Sequence, residues 1–323
     1  MSKITKVIAR QVFDSRGNPT IEAEVFSKNI SASSICPSGA STGTYEAYEK
    51  RDKSNRKYLG KSVLKPVSLI NKIISKKLKN QNVHNQERID HILIKLDGTK
   101  QKSKIGANAI LAISMAVKKL SAKIKKIPLY KNFTTKKNFK LPYPLMNIIN
   151  GGAHANNSLE IQEFMIRPDG ANSFKECMRM CFLVIQNLKK NLEDKNISTS
   201  VGDEGGFAPS LGSDEEAIEL IMKSISSSGF KPGKDISICL DVAANELKKP
   251  KDVEYFLNIT KKYPIKSIED PFPEDDWKNW KQLTQKTNAQ IVGDDLFVTN
   301  KNRLEKGIKE KSANSILIKP NQI

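Results

Sequence analysis

The sequence predicts an α/β chain in two parts: an N-terminal α+β domain (antiparallel meander plus helices), then a β/α barrel that lacks its last units. Three observations predict it. Four apolar runs, Ile-Ser-Ile-Cys-Leu-Asp241, Ile-Lys-Ser-Ile-Glu269, Gln-Ile-Val-Gly-Asp294 and Ser-Ile-Leu-Ile-Lys319, end in charged residues spaced 28, 25 and 25 positions apart. That spacing holds one strand, one helix and two loops, the pattern of parallel strands in βα units. Ahead of them, a short alternating stretch and a long helical periodicity mark a unit of another kind. Finally, 323 residues are enough for about two domains and a sizeable core.

In order along the chain, Ile4 to Val12 reads as a strand, and Asp14-Ser-Arg-Gly-Asn-Pro19 supplies turn residues. Thr20 to Val25 alternates, with Ile21, Ala23 and Val25 on one face, as in a half-buried strand of a meander. The small, polar Pro37-Ser-Gly-Ala-Ser-Thr-Gly43 can bring backbone N–H and hydroxyl groups close to a phosphate or a metal. From Leu64 to Lys126 apolar residues recur three and four apart, broken at Asp97-Gly98. Lys123 to Lys140 is lysine-rich and Leu141-Pro-Tyr-Pro144 resists helix, so the domains are expected at 1–135 and 141–323.

The second domain is expected to open with strands at Leu145 to Ile149 and Glu163 to Arg167. Ser173 with Glu176, and Ser213 with Glu216, have capping-box spacing and should start two helices. With the four strand-ended runs this makes strands near 145, 163, 236, 265, 290 and 315. A closed barrel of this kind has eight. The last strand is therefore expected to leave an open edge.

Composition narrows the function. The chain has no apolar run of membrane-spanning length, and Met1-Ser-Lys-Ile-Thr-Lys lacks the apolar core of a signal peptide, so a cytoplasmic protein with no membrane partner is expected. Cys36, Cys177, Cys181 and Cys239 form no CxxC pair and no zinc spacing, and read as small core residues. A net charge of +19 raises nucleic acid as a partner, but only 8 of the 54 basic residues are arginine and the lysines are spread through every segment. Base and phosphate recognition favours arginine clusters and aromatic platforms, so the charge alone does not predict a nucleic-acid partner.

In parallel barrels the chemistry sits where strands end, on one face. Asp241, Glu269, Asp294 and Lys319 should then converge: three carboxylates for a cation, and an amine beside them as a base.

Eight stretches resemble the enolase family in order and spacing: Asp14 to Pro19, Pro37 to Gly43, Asn150-Gly-Gly-Ala-His154, Gln162-Glu-Phe-Met165, Gly202-Asp-Glu-Gly-Gly206, Ser267-Ile-Glu-Asp-Pro-Phe272, Gly293-Asp-Asp-Leu296 and Ile318-Lys319. The resemblance implies an enolase-type, TIM-like barrel that reversibly dehydrates 2-phosphoglycerate to phosphoenolpyruvate with Mg²⁺, in glycolysis. It implies Asp241, Glu269 and Asp294 as ligands of a first Mg²⁺, and Ser41 as a ligand of a second. Lys319 would be the base that takes the C2 proton, and Glu204 the acid that protonates the departing hydroxyl. His154, Gln162 and Glu163 would line the substrate pocket, and a homodimer is expected. The proton removed lies next to a carboxylate, so the intermediate is doubly charged there and needs a concentrated positive field.

Two departures stand out. Asp241-Val-Ala-Ala-Asn-Glu246 replaces the family's usual Asp-Cys-Ala-Ala-Ser-Glu, and Pro320 follows the expected base, pushing Lys319 toward extended backbone. Nothing matches the family's later His-Arg-Ser segment and further lysine, so the chain is expected to be C-terminally truncated. The alternative function is a catalytically dead remnant acting as a binding or scaffold protein.

Overall fold

The computed structural model describes residues 2–39, 42–53, 56–202 and 204–323. Its contacts group into two compact units, one of Met1–Gly39, Tyr45–Phe139 and Lys319–Ile323, the other of Ala40–Thr44 and Lys140–Ile318.

The first unit is built on an antiparallel meander, β1 (Lys6–Phe13), β2 (Pro19–Ser27) and β3 (Ile30–Ile35), in that order. Its first turn closes because Asp14 Oδ1 accepts the N–H groups of Arg16 and Asn18, at 2.9 and 2.8 Å. Gly17 supplies the left-handed residue, at φ 74°. The alternation in β2 puts Ile21, Ala23 and Val25 fully inside, the face expected from the sequence. Against that face packs α4 (Ala107–Lys125), which buries Ala109, Ala112, Ile113, Ala116, Val117 and Leu120 at helical spacing. Each large member contributes about 1.5–3 kcal/mol by leaving water.

Three helical segments precede α4: α1 (Leu64–Leu69), which runs through a π-type turn into α2 (Ser75–Leu78), and α3 (Gln86–Asp97). The break foreseen at Asp97-Gly98 is the end of α3. There Gly98 is left-handed at φ 69° and donates to the Ile94 carbonyl at 2.9 Å. Asp97 is buried and accepts from the amides of Thr99 at 3.0 Å and Ile105 at 2.6 Å, which carries the chain into α4.

The second unit holds one six-stranded sheet: β4 (Met146–Asn150), β5 (Glu163–Arg167), β6 (Ser237–Asp241), β7 (Ile265–Glu269), β8 (Gln290–Gly293) and β9 (Ser315–Ile316), neighbours in chain order. All six strands fall where the sequence placed them. β4 to β6 pair antiparallel and β6 to β9 parallel, so the βα pattern begins only at β6. The helices are α5 (Phe174–Glu193), α6 (Asp214–Ser227), α7 (Val253–Lys262), α8 (Trp277–Lys286) and α9 (Lys301–Glu310).

Both capping boxes form: Ser173 and Ser213 accept from the amides of Glu176 and Glu216, at 3.1 and 3.2 Å. The core lies between the sheet and these helices, with Phe164, Ile238, Leu240, Ile268, Phe256, Phe272 and Trp280 inside it. The last strand is shorter than its apolar run. Only Ser315 and Ile316 pair, and Lys319 follows in extended backbone at φ −119°, ψ 106°, as a residue before proline should. Its contacts place Lys319 with the first unit.

The four cysteines are all free and buried. Desolvation is the first cause of the rise in the Cys36 and Cys239 thiols, to about 12, and of Cys181, to about 11.

Candidate active site at the strand ends

The strand register aligns the site. Asn150 on β4 partners Glu163 on β5, Glu163 partners Asp241 on β6, and Asp241 partners Glu269 on β7. Three acidic residues thus occupy one lateral row, at the ends or beginnings of their strands. Asp294 follows directly after β8. A strand-end carboxylate sits where backbone pairing stops and a loop begins, so its side chain can enter a cavity while its backbone stays fixed.

Burial is deep for so much charge: Asp241 is 8% exposed, Glu269 9% and Asp294 6%. Asp241 is held at both oxygens, by the Gln162 side-chain amide at 3.0 Å and by the Ala243 N–H at 3.0 Å. The Gln162 backbone also donates to the Asp241 carbonyl, at 3.0 Å. The Gln162 Oε1 atom is buried with no hydrogen-bond partner among the described residues. Like charges this buried, on adjacent strands, fit a hard divalent cation bound through carboxylate oxygens.

Among the described residues, two groups bring three ligand-type atoms within 4.8 Å of one another: His154, Glu163 and Glu204, and Asp270, Asp294 and Asp295. Asp294 belongs to the second, whereas Asp241 and Glu269 stand on the neighbouring strand ends.

The first group joins three residues predicted from sequence. His154 Nδ1 lies 3.5 Å from Glu163 Oε1, and Nε2 lies 3.9 Å from Glu204 Oε1, so a protonated ring would bridge the two acids. The side chain of Glu204 is 44% exposed and that of His154 only 5%. Glu204 is carried on a loop pinned to β4, because Phe207 N–H donates to the Ile148 carbonyl at 2.9 Å and Asn150 N–H to the Phe207 carbonyl at 2.8 Å. The approach requires Gly206, where a Cβ would lie 2.7 Å from Asn150 Oδ1 and 2.9 Å from the Ile148 carbonyl carbon.

Sequence reasoning gave no role to Asp270, Asn245, Glu274 and Arg303. Asp270 is 4% exposed, and its carboxylate accepts the N–H groups of Asp294 at 3.0 Å and Asp295 at 2.8 Å. Burial, and then the charges of Asp295, Asp294 and Asp241, push it well above the ordinary carboxylate range. Asn245 accepts from the Glu274 amide at 3.1 Å and donates to Asp295 Oδ2 at 2.9 Å. Arg303 donates to the carbonyls of Leu296 and Glu274, each at 2.6 Å, joining the loops after β7 and β8. Glu274 Oε2 in turn accepts the Thr44 N–H at 3.1 Å. The only available signal was the paired acids in Glu269-Asp270 and Asp294-Asp295. Ser41 lies outside the described residues.

A family model described as "Enolase, N-terminal domain" matches residues 4–133, and one described as "Enolase, C-terminal TIM barrel domain" matches residues 138–261 and 251–323. The chain is 65% identical, over an alignment 338 positions long, to "Enolase" from Pelagibacter ubique (strain HTCC1062), an alignment that covers 100% of this chain and 81% of that protein. With matches running through both units and through every stretch that carries the site, the chain belongs to the enolase family.

Proposed function

We propose that the protein is a hydro-lyase, a phosphopyruvate hydratase that reversibly removes water from 2-phosphoglycerate to give phosphoenolpyruvate. The row formed by Glu163, Asp241 and Glu269, with Asp294 one strand further on, is the observation that carries this reading. The likeness spans the whole chain, which favours an enzyme over a scaffold.

Asp241, Glu269 and Asp294 would hold Mg²⁺, and Ser41 a second ion. When bound, the metal supplies the positive field that makes a proton next to a carboxylate acidic. The remaining work falls to side chains. Gln162 donates to Asp241 and keeps one of its oxygens oriented. Lys319 takes the C2 proton and Glu204 returns one to the departing hydroxyl. His154 and Glu163 flank Glu204 and shape the pocket at the reacting carbons.

The homodimer and a cytoplasmic location belong to the same proposal. Among the described residues no helix is long and apolar enough to cross a membrane.

The test is phosphoenolpyruvate formation from 2-phosphoglycerate with and without Mg²⁺, by this chain alone and together with the part of the relative that lies outside the alignment. Metal-dependent turnover that E204Q removes supports the reading. A folded protein with no turnover in either form contradicts it.

A further inference from the structure

We propose that Asp270 is a positioning residue whose buried carboxylate fixes the main chain of Asp294 and Asp295, and through it the Asp294 carboxylate in the cation site. The inference rests on reading Asp241, Glu269 and Asp294 as that site.

Asp270 follows the last residue of β7 and is tied to β8 and to the loops that follow β6 and β8. Its own N–H donates to the Val292 carbonyl at 3.0 Å, and its carbonyl accepts the Ala244 N–H at 3.1 Å. Its two carboxylate oxygens take one backbone N–H each from the loop after β8, Asp294 at 3.0 Å and Asp295 at 2.8 Å. The loops that follow β6, β7 and β8, each beginning at or just after one expected metal ligand, therefore meet at this residue.

The backbone is bent to allow it. Asp270 has φ 42°, in the left-handed region, which a non-glycine residue adopts only when its surroundings impose it. The turn it holds is closed from the other side, where Phe297 and Val298 donate to the Asp294 carbonyl at 3.1 and 2.7 Å. Asp294 is thus gripped at its N–H by Asp270 and at its carbonyl by its own turn, which leaves its carboxylate with a fixed origin.

Asp270 also lies with Asp294 and Asp295 in a group whose oxygens are within 4.8 Å of one another, and could be taken for a metal ligand itself. Its burial and the N–H on each of its oxygens favour the supporting role. Residues that orient ligands in this way typically set metal affinity by about 10–100-fold. An asparagine at 270 offers one acceptor in place of two and turns an N–H donor toward a second donor.

The experiment is Mg²⁺ titration by calorimetry on the wild type, D270N, D241N, E269Q and D294N, with kcat then measured at saturating Mg²⁺. D270N is expected to bind Mg²⁺ about 10–100-fold more weakly, yet to regain kcat within about threefold of wild type at saturation. D294N should not regain it. Wild-type affinity in D270N overturns the proposal, and so does a D270N that behaves like D294N, because Asp270 would then be a ligand. If D241N and E269Q also leave affinity unchanged, the cation-site reading itself fails. Should D270N not fold, D270E is read on the same titration: weakened binding with recovered kcat supports the proposal, and unchanged affinity overturns it.

Discussion

Asp241 and Glu269 are direct register partners on the adjacent parallel strands β6 and β7. Neighbouring strands lie about 4.8 Å apart, so two nearly buried carboxylates emerge side by side. Two ionised carboxylates at that spacing would repel by about 3 kcal/mol at an effective dielectric constant near 20.

Removing one charge should separate stability from metal binding. D241N and E269Q are expected to melt at or above the wild-type temperature without metal, and to lose the rise that Mg²⁺ gives the wild type. Thermal unfolding with and without Mg²⁺ reads both effects. A lower metal-free melting temperature together with a retained Mg²⁺ increment would count against the carboxylate row as the cation site.

Glu204 should act on chemistry rather than on metal. E204Q is expected to lower kcat by about 10²–10⁴-fold while Mg²⁺ affinity stays near wild type. Steady-state kinetics and the metal titration together check it, and a parallel loss of metal binding would contradict the role.

The Glu204 loop depends on a missing side chain. In G206A the new Cβ meets the backbone of β4, so the loop must shift. Overpacking of this kind costs about 1–3 kcal/mol, and the displaced Glu204 should reduce kcat more than KM. A G206A enzyme with wild-type kcat would mean that the close approach is not needed for turnover.

Asp97 gives a pH signature in the first unit. Desolvation pushes its carboxyl up, but the Thr99 hydroxyl and the Ile105 backbone amide outweigh that and leave it below the ordinary range. A depressed pKa contributes stability that is present above the unfolded value, about 3.9, and is lost as pH falls through the folded value. The stability gap between wild type and D97N should therefore be constant near neutrality and shrink below about pH 4, as denaturant midpoints across pH will show. A gap that widens in acid would contradict this.

Much of the scaffold was legible because it is local. Six strands, two capping boxes and the break at Gly98 each rest on residues a few positions apart, where periodicity and capping chemistry act. Asp241 and Glu269, which end β6 and β7, and Asp294, directly after β8, were legible for the same reason. Asp270, Arg303 and Asn245 were not, since the bonds that join them to Asp294, Glu274 and Asp295 span 24, 29 and 50 positions in sequence and nothing in the single residue announces them. The antiparallel start of the second sheet escaped notice because an apolar strand looks alike in either direction. The short β9 escaped too, since an apolar run does not record whether its backbone finds a partner.

The most direct measurement is phosphoenolpyruvate formation from 2-phosphoglycerate with increasing Mg²⁺, by the chain alone and with the relative's unaligned part, beside K319A. The account predicts turnover that rises with Mg²⁺ and saturates, and that K319A abolishes with its metal-induced thermal shift intact. No turnover in either form from a folded, Mg²⁺-binding protein, or full activity in K319A, would contradict it.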